Sequence, residues 1–200
     1  MTNHWTLNDI PWEEIDPAKV ESELLETVKA AALVEANSQD YVTYLHNVFK
    51  GDTAFEAAAD QWGTEERQHG DALGRWAEIV DPTFSYEDSL SRFRAGYSLP
   101  LDAEKSVRGS RSGELVARCV VESGTCSFYS AIRDRATEPV LQKICGYIAQ
   151  DEAQHYQLFH RHLKRYLNNR RLGFFEKLKI ALGRVFEVGD DELAYAYYSA

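Results

Sequence analysis

Residues 65–69 read Glu-Glu-Arg-Gln-His, and residues 151–155 read Asp-Glu-Ala-Gln-His. Each stretch is an acidic residue, a glutamate, two spacers and a histidine. On a helix, a glutamate and a histidine three positions apart project from one face, with Cβ atoms about 5–6 Å apart. One such pair occurs by chance on many charged helices. Two near-copies in one chain indicate that each pair binds a metal ion.

A further glutamate precedes each motif at nearly the same distance. Glu35 lies 31 residues before Glu66, and a turn is predicted midway, at Gly51-Asp52. A helix rising for 16 residues gains about 24 Å and one descending for 15 residues returns about 22 Å. The two glutamates are therefore predicted to lie at the same height of an antiparallel hairpin.

The second half of the chain repeats this spacing. Thr137 lies 15 residues after Glu122 and 15 residues before Glu152. Two such hairpins would bring four carboxylates and two imidazoles into one layer: Glu35, Glu66, His69, Glu122, Glu152 and His155. This is the ligand set of ferritin-like di-iron and di-manganese proteins. The sequence predicts an all-α, ferritin-like four-helix bundle.

The predicted ligands interrupt apolar helix faces. The face that carries Glu66 and His69 also carries four apolar residues: Ala59, Trp62, Leu73 and Trp76. Four unpaired carboxylates buried together would repel one another and resist desolvation, whereas two divalent cations neutralise them. Carboxylates with only two histidines and no thiolate suit iron, with manganese as the alternative. A paired ferrous centre can deliver two electrons to O₂.

Composition bounds the remaining possibilities. Two hundred residues with 44% hydrophobic content predict one domain, and a net charge of −10 disfavours nucleic-acid binding. The three cysteines form no CxxC pair, which favours a reducing compartment. No secretion signal and no apolar run near 18 residues are visible. We expect a soluble, cytoplasmic protein without a transmembrane segment.

The chain divides into an N-terminal arm (1–16), the bundle (17–170), and a C-terminal helix with an acidic, tyrosine-rich tail (171–200). The arm's tryptophans are expected to pack on the bundle. Predicted helices span about 17–50, 53–80, 110–136, 139–168 and 174–186, with a long crossover over 82–112 that contains a short helix at 86–95. Three glycines interrupt the second helix, Gly63, Gly70 and Gly74, and they either permit close helix packing or loosen the helix.

Residues 161–184 carry eight basic residues and one acidic residue. An apolar stripe runs through this segment: Phe175, Leu178, Leu182 and Val185. One interpretation is a basic amphipathic helix docked on the bundle with a solvated outer face. The alternative is a docking patch for an acidic partner, such as a carrier protein, or peripheral contact with an anionic membrane.

Glu65 and Asp151 each precede a predicted ligand glutamate. Either could accept the non-ligating N–H of a histidine and so orient its ring. The approximate two-fold relation of the hairpins suggests that each serves the histidine of the opposite motif. The alternative is that both are solvated helix acids.

Residues 65–73 resemble the first iron motif of the soluble acyl-acyl-carrier-protein desaturases, and residues 144–155 resemble their second. The resemblance covers about 17–80 and 110–167. It implies a homodimer with a di-iron centre that uses O₂ to abstract hydrogen from an acyl chain. Because the sequence shows no internal redox domain, we also expect an external, ferredoxin-type electron donor.

The same resemblance assigns roles to the ligands. Glu66 and Glu152 would bridge the irons, while Glu35 with His69 and Glu122 with His155 would be terminal. Thr125, three residues after Glu122, matches a family threonine near the oxygen-binding face; alternatively, its hydroxyl bonds the preceding helical turn.

Single positions in the sequence distinguish this chain from other members of the ferritin-like superfamily. Leu73 occupies the place of the radical tyrosine of ribonucleotide reductase small subunits. Arg67 occupies the place of the haem-binding methionine of bacterioferritin, and the CxxC module of rubrerythrins is absent. Aldehyde-deformylating oxygenases and a non-catalytic ferritin-like iron-binding protein remain as alternatives. An acyl-chain enzyme needs a narrow apolar pocket beside the metals, whereas an iron store needs a polar path to them.

Overall fold

The structure is a computed structural model that describes residues 4–169, 172–186 and 191–200. Within these ranges all regular secondary structure is helical, so the all-α prediction is confirmed. Three short 3₁₀ turns come first, Leu7–Asp9, Trp12–Glu14 and Pro17–Lys19. The α-helices are α1 (Ser22–Ala36), α2 (Ser38–Val48), α3 (Thr53–Val80), α4 (Tyr86–Gly96), α5 (Arg111–Arg135), α6 (Pro139–Asn169), α7 (Phe174–Phe186) and α8 (Asp191–Ser199).

The predicted first helix, 17–50, is wrong in two respects. Asp16-Pro17 starts only a 3₁₀ turn, and the α-helix begins at Ser22. The helix is then interrupted at Asn37, because Arg94 Nη2 donates to the carbonyl of Ala36 and the Asp40 N–H bonds the Asn37 carbonyl. The interruption divides the segment into α1 and α2, two residues after Glu35.

The other long helices follow the predicted bounds closely. The Asp52 carboxylate accepts the Phe55 N–H at the start of α3, and Ser110 accepts the Gly113 N–H at the start of α5. Glu138 accepts the N–H groups of Val140 and Leu141 at the start of α6. Side-chain oxygens at these positions satisfy helix N–H groups that have no partner within the helix.

Segment 82–110 crosses the length of the first hairpin. Along it, the Tyr86 N–H bonds Glu78, Arg94 bonds Ala36, and the Leu101 carbonyl accepts from Asn47. At its end, Arg111 donates to the carbonyls of Val48 and Lys50. The long crossover predicted for this segment is present, with α4 inside it.

The C-terminal part differs from the prediction of an acidic tail. Residues 191–199 form α8, which packs on α1 and α4 and buries Ala196 completely. Arg92 also donates to the Ser199 carbonyl. The negative composition of the tail concealed this packed face.

Helix α7 contacts α5, as the docked interpretation predicted, but the predicted apolar stripe is not the face that makes this contact. Phe175, Leu178 and Leu182 are exposed, while Ile180 is directed toward α5. The Val185 side chain lies outside the described residues. In the part of the chain that the structure describes, no helix has the length and apolarity needed to cross a membrane.

Among the described residues, two of the three buried apolar clusters lie on either side of the layer that holds the six predicted ligands. One contains Val28, Leu73 and Trp76. The other contains Phe55 and Phe159. The positions of these residues along their helices place the predicted ligands between the clusters.

Gly70 settles the question that the sequence left open for the second helix. A Cβ atom at this position would lie 2.7 Å from the Ala36 nitrogen and 2.9 Å from the Ala32 carbonyl oxygen. The backbones of α1 and α3 therefore approach within a distance that only glycine permits. This close approach occurs one residue from His69 and fixes the spacing between α1 and α3 at the charged layer.

Candidate metal centre

Four helices contribute the six predicted ligands. Glu35 comes from α1, Glu66 and His69 from α3, Glu122 from α5, and the remaining pair from α6. All six residues are buried: Glu35, Glu66, His69, Glu122, Glu152 and His155. Charged groups with this degree of burial require partners or a cation.

The six residues form two groups of four ligands. One consists of Glu35, Glu66, His69 and Glu152, and the other of Glu66, Glu122, Glu152 and His155. Within each group, one ligand atom from every residue lies within 4.8 Å of the others. The shared members are Glu66 and Glu152, the two that the resemblance assigns as bridging. The geometry therefore provides two adjacent positions that could each hold a metal ion.

Unpartnered polar atoms converge on the same place. Five buried side-chain atoms of the six residues lack a hydrogen bond of good geometry: Glu66 Oε1, His69 Nδ1, Glu122 Oε1, Glu152 Oε1 and His155 Nδ1. They lie against one another instead, with His155 Nδ1 2.9 Å from Glu66 Oε1 and His69 Nδ1 3.4 Å from Glu152 Oε1. Buried polar atoms are normally hydrogen-bonded, so this concentration needs a chemical explanation. All five are lone-pair donors, and the residues present fit a pair of metal ions.

Both histidines are oriented by carboxylates from the opposite motif. His69 Nε2 lies 3.0 Å from Asp151 Oδ2, and His155 Nε2 lies 2.8 Å from Glu65 Oε2. With Nε2–H directed at a carboxylate, the Nδ1 lone pair of each ring is available to a metal. The structure thus brings Asp151 and Glu65 into the crosswise arrangement suggested by the approximate two-fold relation.

Crowding and burial shift the pKa values of the carboxylates in the layer. Burial, followed by the neighbouring Glu152 carboxylate, raises the pKa of Glu66 well above its usual range. Burial likewise raises the pKa of Glu122 to about 8. Burial opposes charge on Glu35 too, but the adjacent Glu66 and His69 side chains, together with the hydrogen bond from Tyr129, lower its pKa to about 2.

The pKa values of the two histidines are shifted in the direction that favours their positive charge. Burial lowers the pKa of His69, but the neighbouring carboxylates of Asp151, Glu152 and Glu35 outweigh it and raise this pKa well above the usual range. The pKa of His155 is raised in the same way. The raised pKa values of both histidines and of Glu66 favour bound protons, which offset the negative charge of the layer. Metal ions bound between these groups would replace such protons.

Trp5 extends the layer toward the surface. Its Nε1 donates to Asp151 Oδ2 at 2.6 Å, and its ring stacks on His69 with a centroid distance of 6.1 Å. Sequence reasoning expected the arm's tryptophans to pack on the bundle, but did not connect Trp5 with His69. No local pattern links two residues this far apart in the chain.

Tyr129 was identified only as part of the apolar stripe of Glu122. Its hydroxyl donates to Glu35 Oε1 at 2.5 Å, and its side chain is almost fully buried. Burial and the Glu35 charge raise the pKa of Tyr129 well above the usual range, which keeps the phenol protonated. A buried tyrosine on a stripe of predicted ligands was the available signal, because its hydroxyl needs a partner.

Thr125 reaches its preceding helical turn, one of the two alternatives from the sequence, and it also reaches Glu152. Its Oγ1 lies within hydrogen-bonding distance of Glu152 Oε2, and lies 3.2 Å from the carbonyls of Val121 and Glu122. A hydroxyl has one proton, so Thr125 donates either to the metal-facing carboxylate or to its own helix.

Arg118 is a further buried charge that sequence reasoning missed. It lies one helical turn before Glu122, with its Nε 3.5 Å from Glu114 Oε1 and its guanidinium 4.6 Å from the Tyr41 ring centroid. Pairing with Glu114 makes the burial of this cation tolerable. The layer next to the predicted ligands is thus partly polar on the side of α5.

Comparison with known proteins identifies no relative of this chain. The chain matches no protein-family model, no curated protein and no solved structure. The class of site is therefore defined by its own geometry: two buried carboxylate–histidine groups that could each hold a metal ion.

Proposed function

We propose that this chain is a ferritin-like di-iron protein that uses O₂ to oxidise an acyl chain or a similar apolar substrate, as the desaturases it resembles do. The observation that carries the proposal is the pair of four-ligand groups sharing Glu66 and Glu152. The spacing of the six residues along four helices, and the two motifs, support the ferritin-like class. The desaturase-type activity rests on the motif resemblance.

The residues of the layer have distinct tasks in this proposal. Glu66 and Glu152 would hold both metals, His69 and His155 would bind through Nδ1, and Glu35 and Glu122 would complete the two groups. Reduced iron held there would supply two electrons to O₂. The two apolar clusters pack on either side of the layer.

Hydrogen bonds to the carboxylates keep the ligands in place. Tyr129 holds Glu35, while Asp151 and Glu65 hold the two histidines. The Thr125 hydroxyl reaches Glu152, and its O–H can turn between that carboxylate and the carbonyls of its own helix. It is the residue we assign to proton handling beside the metals.

The first test is the metal content after anaerobic loading with ferrous iron, followed by O₂ uptake with a chemical reductant. We expect two irons per chain, and reductant-dependent O₂ uptake that rises when an acyl carrier protein bearing an acyl chain is added. Product analysis by mass spectrometry then identifies the oxidised chain. The homodimer and the ferredoxin-type donor stay predictions.

Other results would point elsewhere. Two irons that are oxidised without substrate turnover, in a large oligomer, would favour the non-catalytic iron-binding alternative. Turnover of a long-chain aldehyde, with no activity on acyl thioesters, would favour the aldehyde-deformylating alternative. Less than one metal per chain would contradict the metal centre itself.

A further inference from the structure

The outer face of α7 carries large apolar side chains that the described parts of the chain leave exposed. Phe174 is 73% exposed, Phe175 82%, Leu178 41% and Leu182 46%. Scattered apolar side chains are common on protein surfaces, but a contiguous patch marks an interaction site. These four residues are contiguous on the helix.

Helical geometry places the four side chains on a single stripe. At about 100° per residue, positions 174, 178, 182 and 175 fall within one-third of the helix circumference. Ile180 lies on the opposite side, and its Cδ1 lies 3.1 Å from where a Cβ of Gly113 on α5 would be. One face of α7 therefore contacts the bundle, while the apolar stripe is directed away from it.

Lysines flank the stripe on both edges. Lys179 follows Phe175 by four residues and borders one edge, and Lys177 lies on the other edge by the same helical geometry. Lys179 is exposed and Lys177 is half-buried. An apolar stripe bordered by lysines, with phenylalanines in its first turn, has the composition of helices that lie in the interface of a bilayer.

The distribution of charge along the chain indicates that the partner surface is negatively charged. Segment 161–184 has eight basic residues and one acidic residue, which leaves 14 basic and 31 acidic residues for the rest of the chain. The segment thus has a net charge of +7, against −17 elsewhere. Within the segment, α7 itself carries three basic residues and one acidic residue. A segment with this charge favours an anionic layer, although the protein as a whole is acidic.

We propose that α7 is a peripheral membrane-binding helix that inserts Phe174, Phe175, Leu178 and Leu182 into an anionic lipid surface, with Lys177 and Lys179 at the headgroups. The stripe lies on the convex outer side of a single helix, which a lipid interface accommodates without a complementary groove. The inference is independent of the metal centre, since none of these residues belongs to the charged layer.

The test is flotation of the full-length protein with vesicles. One set contains phosphatidylcholine alone, and the other contains phosphatidylcholine and phosphatidylglycerol in equal parts. We expect binding to the anionic vesicles only, with release as the salt concentration rises. The double variant Phe174→Ser/Phe175→Ser should lower the partition coefficient more than tenfold. Lys177→Gln and Lys179→Gln should each lower it about fivefold.

Matched controls separate these effects from general ones. Phe128→Ser removes an exposed aromatic side chain from α5, and Lys50→Gln removes an exposed basic residue outside the segment. Both should bind vesicles as the wild type does. Circular dichroism of every variant should show unchanged helicity, so that a loss of binding reports the surface and not the fold.

Three results would overturn the proposal. The first is no binding to either vesicle set, and the second is binding that the phenylalanine substitutions leave unchanged. The third is a dimer in analytical ultracentrifugation that Phe174→Ser/Phe175→Ser converts to a monomer while anionic vesicles fail to bind. That result would assign the stripe to a second copy of the chain.

Discussion

Asp151 of the second motif lies 3.0 Å from Nε2 of His69 in the first motif. The converse contact joins Glu65 to His155 at 2.8 Å. Each motif therefore supplies a glutamate and a histidine to the layer, and also an acid that orients the histidine of the other. The two halves of the site depend on each other for ligand orientation.

Removing these orienting charges should weaken metal binding without unfolding the chain. Asp151→Asn and Glu65→Gln retain the side-chain shape but lose the negative acceptor for the histidine N–H. We expect each substitution to lower the affinity for ferrous iron by about 10–100-fold, measured by competition with a chelator. Asp134→Asn, an exposed acid on α5, is the control and should bind as the wild type does. Equal affinity in all four proteins would contradict the orienting role.

Glu152 belongs to both ligand groups. Glu152→Ala should therefore abolish dinuclear loading, whereas a terminal ligand variant such as Glu35→Ala should spare the group that does not contain it. Elemental analysis after ferrous loading gives the metal content, and circular dichroism should show mostly retained helicity. Two irons per chain in the Glu152 variant would refute the ligand assignment.

Gly70 and Gly124 form a matched pair of helix glycines. Gly70→Ala places a Cβ atom against the backbone of α1, whereas a Cβ at Gly124 meets no heavy atom within 4 Å. We expect Gly70→Ala to lower the free energy of unfolding by about 1–3 kcal/mol. We expect Gly124→Ala to raise it by up to about 1 kcal/mol. Urea titration measures both, and a stable Gly70 variant would show that α1 and α3 can separate.

The three cysteines should differ in reactivity. Burial raises the pKa of Cys119 to about 12 and also raises that of Cys145, while Cys126 is only half-buried. The thiolate is the reactive form, so at pH 8 the folded protein should react quickly at one thiol. Cys126→Ser should remove this fast phase, and denaturant should expose the remaining thiols. A fast phase that persists in Cys126→Ser would contradict the burial of the other two.

Asp81 stabilises a buried lysine. Lys29 Nζ lies 2.9 Å from Asp81 Oδ2 and 2.8 Å from Glu26 Oε1. Hydrogen bonds from Thr83, then from Lys29, lower the pKa of Asp81 to about 2 from 3.8. Asp81→Asn should cost about 1–2 kcal/mol of unfolding free energy at pH 7.

The pH dependence of that cost has a defined sign. Because the folded pKa of Asp81 is depressed, its contribution is complete above about pH 4 and is lost as the pH falls toward 2. The difference in unfolding free energy between wild type and Asp81→Asn should therefore shrink as the pH falls below 4. Urea unfolding measures it, down to the lowest pH at which both proteins fold. A constant difference would locate its cause elsewhere than the Asp81 charge.

Local periodicity and spacing were sufficient to identify the six residues that converge. The three-residue spacing within each motif fixes a shared helix face, and the 30- and 31-residue intervals fix a shared height. Turn and capping residues such as Asp52 and Ser110 then set the helix ends. Each of these signals acts within one helix or one hairpin.

The residues that the sequence did not reveal act across the fold. Trp5 and Asp151 are 146 positions apart, and Tyr129 and Glu35 are 94 apart. No periodicity in a single segment encodes such pairs. The interruption at Asn37 likewise depends on Arg94, which reaches the Ala36 carbonyl from the crossover segment. Polar contacts between residues far apart in the chain are therefore the part of the site that the sequence did not predict.

The contact of Trp5 with Asp151 has a consequence for biosynthesis. Trp5 is synthesised 146 residues before Asp151, the acid on α6 that accepts its indole N–H. Its contacts with Gln68 and His69 on α3 have their partners earlier. The contact that joins Trp5 to the second hairpin can therefore form only after α6 has been translated, which makes the closing of the layer beside Asp151 a late step of folding.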